Sequence, residues 1–231
     1  MPKPLIRVRE RTLLEHTLCC FNIDEGDRLI LAVQRSDKVR EGLEATLRNQ
    51  YPKTTIHWVE LDSLLPGQLA TATTALQRVL NEIAIDQHQA LLIHNCDTGF
   101  RWNDSLAVIQ GFAAMAVFEA AGEHWSFGLP DPLDPQRAIA IAEKQRISPL
   151  ASIGLYGFAN IAEFLSNAQH TLQTAPTLNG EHYIAPMLQQ AIELGKQVQL
   201  PRVDGVSLYG TPEELCRTFQ LNLETLRESN P

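Results

Sequence analysis

Residues 90–94, with the sequence ALLIH, form a short apolar run that ends directly in the polar residues 95–97, NCD. A run of this length bounded by polar residues is typical of a buried β-strand. Two similar runs precede it, RLILAVQ at residues 28–34 and TTIHWV at residues 54–59. Segments with apolar side chains at helical spacing separate these runs, most clearly over residues 69–83. This alternation of strands and helices favours a parallel sheet with helices on both faces.

The second half of the chain changes this rhythm. Four strand-like runs follow one another without helical segments between them, which favours antiparallel or mixed pairing; they are residues 111–120, 124–127, 137–144 and 151–158. Helical patterns then return at residues 160–172, 185–195 and 212–226. No internal repeat or low-complexity linker is found, so residues 1–231 are predicted to form one α/β domain, with a mixed, mostly parallel sheet flanked by helices.

Composition restricts the partners of this domain. The 231 residues include 19 Lys and Arg against 27 Asp and Glu, and this net charge of -8 argues against a general nucleic-acid or membrane-surface binder. The sequence shows no signal peptide and no apolar run of about 20 residues, so a soluble cytoplasmic protein without membrane insertion is expected. The four cysteines and seven histidines show no zinc-binding spacing. A monomer and a homo-oligomer are both compatible with the sequence.

Two charged residues at strand ends are candidates for phosphate chemistry. Ligands of open parallel sheets bind beyond the carboxyl ends of the strands, and Asp97 lies there, after the strand at 90–94. Its carboxylate could hold Mg²⁺; the alternative role is a turn former or helix cap. Lys144 follows the run RAIAIAE and could pair with a phosphate; the alternative is a solvated strand end. The neighbouring Glu143 would either orient this lysine or lie in solvent.

Two further polar residues precede predicted helices. Glu181 follows the turn Asn179-Gly180 and could accept hydrogen bonds from sugar hydroxyls; the alternative is a turn or capping residue. Gln68 follows Pro66-Gly67 at the start of the helix at 69–83, and its amide could read the edge of a nucleobase. An ordinary helix start is the alternative for Gln68.

These positions lie in short segments that keep one order over about 210 residues. The segments are PKPLI at 2–6, IHNCDT at 93–98, GEHWSF at 122–127, AEK at 142–144, IS at 147–148, GLY at 154–156, NGEHYI at 179–184 and GTPE at 210–213. Together they resemble the sugar-phosphate nucleotidyltransferase family, in particular its members in capsule and cell-surface sugar biosynthesis. The resemblance implies a GT-A-like, Rossmann-related nucleotidyltransferase fold.

The resemblance also implies a reaction, in which a nucleoside triphosphate and a sugar phosphate are joined and pyrophosphate is released. Lys3 matches the lysine that faces the triphosphate, and Asp97 matches the acidic residue that holds Mg²⁺ between the phosphates. Lys144 matches the lysine that grips the sugar phosphate. The sugar phosphate attacks the α-phosphate in line, so positioning and charge neutralisation are required and no side-chain nucleophile is needed.

Four substrate-binding positions follow from the same resemblance. Gln68 lies where the family contacts the base, and Asn95 lies in the segment that contains Asp97. Gly154 lies beside the sugar, and Glu181 matches the glutamate that binds the sugar hydroxyls.

The sequence departs from the family pattern at two places. The family's first strand and its Gly-rich phosphate loop, of the G-x-G-x-R type, precede the segment matched by residues 2–6, and neither is found in residues 1–231. Either an upstream start supplies them, or the domain has lost them and binds sugar phosphate, nucleotide or a protein partner without catalysis. Pro186 stands where many members carry an Asp that is a second metal ligand. A GT-A glycosyltransferase that uses Asp97 is a third alternative, although that class usually has an Asp-x-Asp pair.

Overall fold

The computed structural model describes residues 1–102, 109–228 and 230, and the chain divides into two compact units. The N-terminal unit comprises Met1–Leu64, Asn95–Arg101 and Gly205–Pro231. The sheet unit comprises Leu65–His94 and Trp102–Asp204. The organisation of residues 1–231 as one domain stays a prediction.

Strands and helices alternate at first, and strands then follow one another directly. In chain order, the strands among the described residues are β1 (Arg7–Val8), β2 (Arg11–Thr12), β3 (Arg28–Gln34), β4 (Thr55–Leu61), β5 (Leu91–His94), β6 (Thr98–Arg101), β7 (Ala113–Glu119), β8 (Ser126–Pro130), β9 (Ala138–Glu143), β10 (Leu150–Phe158), β11 (Val198–Gln199) and β12 (Asp204–Leu208). The α-helices of the same residues are α1 (Leu13–Leu18), α2 (Val39–Gln50), α3 (Gln68–Glu82), α4 (Ile161–Thr174), α5 (Ile184–Glu193), α6 (Pro212–Phe219) and α7 (Leu223–Glu228).

A parallel strand pair lies in the N-terminal unit. β3 pairs with β4 along the full length of both strands. Parallel neighbours need a crossover connection, and α2 supplies it. The apolar stripe of α2, formed by Val39, Leu43 and Leu47, is buried in one cluster with side chains of α1 and β3. The predicted strand–helix–strand pattern is therefore present in this unit.

A buried capping box fixes the start of α1. The Glu15 carboxylate accepts hydrogen bonds from the Thr12 backbone N–H at 2.9 Å and from the Thr12 hydroxyl at 2.8 Å. Gln50, at the end of α2, donates a third hydrogen bond to Glu15 at 2.8 Å. Burial favours the neutral acid, but these hydrogen bonds outweigh it, and the pKa of Glu15 lies below its ordinary value. A charged carboxylate thus ties α1 to α2.

β10 is the central strand of the sheet unit, and all nine of its residues are buried. The strand order is β11-β7-β10-β8-β9, and β5 also pairs with β10. β7 follows one edge of β10, while the other edge is shared by β8 near the start of β10 and β5 near its end. The register opposite β7 shifts between Ser152 and Tyr156, and Gly154 lies in this bulge with a left-handed φ of 75°.

The predicted α/β class, with a mixed sheet flanked by helices, is confirmed. The balance of strand directions differs from the expected mostly parallel sheet. Among the described strand pairs of the six-stranded sheet, β7 with β11 is parallel and the others are antiparallel. The reason is the chain from β7 to β10: it contains no crossover helix in its described part, so these strands pair in opposite directions.

The helix ends follow the sequence signals closely, with one exception. Thr211 and Glu214 form the capping box of α6, with Pro212 at the first helical position, and Asn160 caps α4. The helix predicted over residues 212–226 is instead two helices. Gln220 adopts a left-handed backbone conformation, with a φ of 55°, and this ends α6.

In the part of the chain that the structure describes, no helix is long and apolar enough to cross a membrane.

Candidate functional site

Lys3 and Asp97 lie together in the N-terminal unit. Lys3 is in a short 3₁₀-helix, Lys3–Leu5, and Asp97 is in the turn before β6. The Lys3 Nζ lies 3.0 Å from the Asp97 Oδ2, and the two side chains are 39% and 29% exposed. A half-exposed ion pair of this kind contributes about 0–1 kcal/mol. A substrate phosphate can therefore replace Asp97 as the partner of Lys3 at little cost in free energy. A metal ion can likewise replace Lys3 as the partner of Asp97.

Backbone hydrogen bonds hold the turn that carries Asp97. The Asp97 carbonyl oxygen accepts from the Tyr209 N–H at 3.1 Å, and the Cys96 carbonyl oxygen accepts from the Thr17 hydroxyl at 3.0 Å. Burial, with a further contribution from the Asp97 charge, raises the pKa of the Cys96 thiol to about 11. The thiol therefore stays protonated at neutral pH, and the charged group that this turn presents is the Asp97 carboxylate.

The donor set at Asp97 fits Mg²⁺ that is bound together with substrate phosphates. Magnesium usually keeps several waters and takes one or two protein carboxylates plus phosphate oxygens. Among the described residues, no group of three His, Cys, Asp or Glu side chains could enclose a metal ion. Pro186 lies in the first turn of α5 and offers no ligand. Asp97 therefore fits a magnesium ion to which the substrate contributes the remaining oxygens.

Lys144 and Glu181 are joined by a tyrosine in the sheet unit. The Lys144 Nζ donates to the Tyr183 hydroxyl at 2.7 Å, and the Tyr183 hydroxyl donates to a short hydrogen bond with the Glu181 carboxylate. The Lys144 ammonium also lies 4.6 Å from the centre of the Tyr183 ring. The hydrogen bond from Lys144 to Tyr183 raises the pKa of Lys144, which is already a cation at neutral pH. The two predicted residues thus belong to one hydrogen-bonded line.

The backbone aims Lys144 in a defined direction. It follows the end of β9 with a left-handed φ of 52°, a conformation that side-chain-bearing residues rarely adopt. Its N–H donates to the Trp125 carbonyl oxygen at 2.9 Å. The lysine is therefore fixed at its backbone and, through Tyr183, at its tip.

Glu143, next to Lys144, is partly buried rather than exposed. Ser126 donates a short hydrogen bond to its carboxylate, and the Ser126 hydroxyl lies 3.5 Å from the Tyr156 hydroxyl. Burial raises the pKa of Glu143, while the Ser126 hydrogen bond and the Lys144 charge oppose the rise. The charge of Glu181 adds to it. Two carboxyl groups and one ammonium therefore influence each other here, a pattern common at functional sites.

The segment before Gln68 contacts the residue that follows Glu181. The His182 N–H donates to the Pro66 carbonyl oxygen at 2.9 Å, and the Leu69 N–H donates to the His182 carbonyl oxygen at 3.0 Å. A side chain on Gly67, whose φ is 95°, would lie 2.6 Å from that His182 oxygen. The expected base-contacting position at Gln68 and the expected sugar-contacting position at Glu181 are thus connected through backbone.

Of the other two expected substrate-binding residues, one follows β5 and the other lies within β10. Asn95 is exposed, in the segment between β5 and the Asp97 turn. Gly154 is buried in the bulge of β10, where its N–H donates to the Ser152 hydroxyl at 3.0 Å. The structure therefore brings Lys3 to Asp97 and Lys144 to Glu181, and it connects Gln68 to the latter group.

Tyr183 and Ser126 are not among the site residues predicted from the sequence. Tyr183 stands two residues after Glu181, at the residue that precedes α5. Its position in the segment NGEHYI was a signal, but only the packing of α5 against β9 shows that its hydroxyl reaches Lys144. Ser126 opens β8 opposite Glu143 on β9, a register that the sequence did not reveal.

An apolar cavity of about 500 Å³ also lies in the sheet unit. Its described lining includes Leu92, Trp102, Ile109 and Leu155. None of its described lining residues is an acid, lysine or arginine. Phosphates need cations or N–H donors, so the polar Lys144 group is a better candidate for substrate chemistry than this cavity.

Known structures resemble the chain, although no family model and no curated protein matches it. The nucleoside-diphosphate-sugar pyrophosphorylase from Vibrio cholerae RC9 has a TM-score of 0.83 at 23% identity, over 95% of this chain and 92% of that chain. A UDP-glucose pyrophosphorylase complexed with UDP-glucose has a TM-score of 0.71 at 13% identity, over 95% and 89%. The inositol-1-phosphate CTP transferase from T. maritima has a TM-score of 0.67 at 13% identity, over 99% and 86%. The chain has the sugar-phosphate nucleotidyltransferase fold.

This result confirms the nucleotidyltransferase fold that the resemblance implied. The three solved structures are each covered to at least 86% of their length, so the likeness extends over most of each protein.

Proposed function

We propose that this protein transfers a nucleotidyl group from a nucleoside triphosphate to a sugar phosphate or a similar phosphate, with release of pyrophosphate. The observation that carries the proposal is the line from Lys144 through Tyr183 to Glu181. It offers a cation for a phosphate and a carboxylate for hydroxyls within one small group. A phosphorylated polyol presents the matching pair of groups, and the nucleotidyltransferase fold supports the same reaction.

In the proposed reaction, an oxygen of the acceptor phosphate attacks the α-phosphorus of the triphosphate. The new oxygen–phosphorus bond forms as the bond from the α-phosphorus to the bridging oxygen breaks, and pyrophosphate leaves with that electron pair. Lys144 binds the acceptor phosphate, and Lys3 binds the triphosphate. Mg²⁺ held by Asp97 and the phosphates would neutralise charge that develops on the leaving oxygens. Binding and orientation account for the chemistry, and no covalent enzyme intermediate is required.

The remaining assignments concern substrate binding. Gln68 contacts the base and Glu181 accepts hydrogen bonds from the acceptor's hydroxyls, while Asn95 and Gly154 are the two other residues assigned to substrate binding. The sequence resemblance to capsule and cell-surface members supports a role in making nucleotide-sugar precursors of surface polysaccharide. The four cysteines are free thiols, which supports the cytoplasm as the compartment. Self-association stays a prediction.

A second candidate function is binding of sugar phosphate, nucleotide or a protein partner without catalysis. Pro186 favours it, because a proline in the first turn of α5 supplies no second carboxylate for a metal ion. The two functions differ in whether Mg²⁺ changes the affinity for triphosphate.

A pyrophosphate-release assay separates these two functions. The chain is incubated with each of the four common triphosphates and a panel of sugar 1-phosphates and inositol 1-phosphate, with magnesium or with a chelator. We expect one pair of substrates to give magnesium-dependent pyrophosphate release and a nucleotide-linked product in the mass spectrum. Calorimetric binding of a sugar phosphate, without turnover of any pair and without an effect of Mg²⁺ on triphosphate affinity, would instead establish the binding function.

A further inference from the structure

The phenol of Tyr183 has one proton and can point it in one direction. It donates that proton to Glu181, so the oxygen accepts from the Lys144 ammonium. Burial and the bond to Glu181 raise the pKa of Tyr183, so the phenol keeps its proton at neutral pH. Each of the three groups therefore has a defined role. Lys144 donates, the Tyr183 hydroxyl accepts from Lys144 and donates to Glu181, and Glu181 accepts.

The helix that follows Tyr183 packs against β9, the strand that precedes Lys144. Tyr183 directly precedes α5, whose residues Ile184 and Ala185 are fully buried. Gln189, on the same helix, accepts from the Ile141 N–H of β9 at 2.7 Å. The hydroxyl therefore holds a fixed place relative to the end of β9, whereas the exposed lysine side chain alone would sample many rotamers.

We propose that Tyr183 is a positioning residue whose hydroxyl sets the spacing between the Lys144 ammonium and the Glu181 carboxylate. This inference rests on the proposed function, because Lys144 is there the contact for the acceptor phosphate and Glu181 the contact for its hydroxyls. A fixed spacing selects acceptors whose hydroxyls and phosphate are separated by a matching distance. Preorganising both contacts also lowers the entropy cost of acceptor binding.

The test is Tyr183→Phe, which keeps the ring and removes the hydroxyl. Removing the hydrogen bond to a charged, half-exposed group is expected to raise KM for the acceptor phosphate roughly 3- to 10-fold. kcat and KM for the triphosphate are expected to change less than about twofold, because chemistry and nucleotide contacts are untouched. The matched control is Tyr51→Phe, which removes a phenol from the N-terminal unit.

A second readout does not depend on turnover. Trace acetylation of the Lys144 amine is followed by mass spectrometry between about pH 8 and pH 11, where lysines titrate. Access to the reagent changes the amplitude of this profile, whereas the pKa of Lys144 sets its midpoint. The charged and titratable groups facing the amine are Tyr183, Glu143 and Glu181. Tyr183→Phe is expected to lower the midpoint of this profile. Inorganic phosphate should slow acetylation of the Lys144 amine more in the wild-type protein than in the variant.

The outcomes are distinguishable. A lowered midpoint with weaker phosphate protection supports the inference even if no acceptor is turned over, in which case the proposed function fails alone. A midpoint and a phosphate protection equal to those of wild type and Tyr51→Phe would overturn the inference, whatever the activity. An active enzyme in which Tyr183→Phe leaves the acceptor KM unchanged would also overturn it.

Discussion

The two units hold their charged candidates in different ways. In the N-terminal unit, Lys3 contacts Asp97 directly and both side chains are partly exposed. In the sheet unit, Lys144 reaches Glu181 only through the hydroxyl of Tyr183. A direct exposed pair opens easily for a phosphate or a metal ion, whereas a bridged line keeps its spacing. Under the proposed function, the triphosphate contacts adapt to the substrate and the acceptor contacts are preorganised.

One carboxylate in each unit, buried or partly buried, shows a second contrast. Glu15, in the N-terminal unit, accepts two hydrogen bonds from Thr12 and one from Gln50, and its pKa is lowered. Glu143, in the sheet unit, accepts one from Ser126, and burial raises its pKa. Each donor favours the ionised form and burial disfavours it, so the larger number of donors to Glu15, together with the charge of Arg7, accounts for its lowered pKa.

Asp97→Asn is expected to have the largest effect, because it removes the proposed metal ligand. kcat should fall by about 10²-fold or more, and raising the magnesium concentration should restore part of it. Stability should change little, because an exposed ion pair contributes about 0–1 kcal/mol. The matched control is Asp62→Asn, which removes an exposed carboxylate paired with Arg35 in the same unit. Full activity of Asp97→Asn at low magnesium would contradict the assignment.

Lys144→Met comes next, since it removes the proposed phosphate contact and one end of the bridged line. KM for the acceptor is expected to rise about 10- to 100-fold, by the loss of a charge-assisted hydrogen bond. The corresponding Lys3→Met variant should raise KM for the triphosphate instead. Lys196→Met, which breaks an ion pair with Glu163 in the sheet unit, is the control. If Lys144→Met and Lys3→Met raised KM for the same substrate, the assignment of the acceptor to Lys144 and of the triphosphate to Lys3 would be wrong.

Local sequence signals predicted those parts of the fold that depend on neighbouring residues. The strand at Arg28–Gln34 is predicted by an apolar run, and the capping box at Thr211 is predicted by a three-residue spacing. The structure has both. The strand directions of the larger sheet were not predictable in the same way, because they depend on which distant strands pair. The split of the last helix at Gln220 gave no signal either, since glutamine is not a typical left-handed residue.

The candidate site was predictable to the level of its charged residues. Strand ends, turns and the ordered segments indicate Lys3, Asp97, Lys144 and Glu181 as candidates. Their partners are not indicated, because the contact between Lys144 and Tyr183 joins residues 39 positions apart. Such a contact depends on how α5 packs on β9, and no local pattern encodes it.

Glu15→Gln tests the carboxylate that hydrogen bonds dominate. The glutamine side chain brings an N–H₂ donor to a site where Thr12 and Gln50 also donate hydrogen bonds. The variant should therefore be less stable by about 1–3 kcal/mol near neutral pH. The folded pKa lies below the unfolded value, so this contribution is present above the unfolded pKa and is lost as pH falls through the folded pKa. Urea unfolding over a pH series should therefore show the variant approaching wild type in acid. Glu41→Gln, on the exposed side of α2, is the control. A difference that grows towards acid would refute this account of Glu15.

Glu143→Gln should give a smaller effect with the opposite dependence on pH. Its folded pKa lies above the unfolded value, so its contribution is present below the unfolded pKa and is lost as pH rises through the folded pKa. Glutamine imitates the neutral acid, and the variant should therefore gain on wild type as pH rises through that window. Ser126→Ala removes the hydroxyl that donates to the ionised Glu143 carboxylate. With Glu143 retained, the free energy of unfolding should then fall more steeply as pH rises. If the two glutamine variants changed in the same direction with pH, donor number would not explain the difference between the units, and the charge of Lys144 would have to outweigh the burial of Glu143.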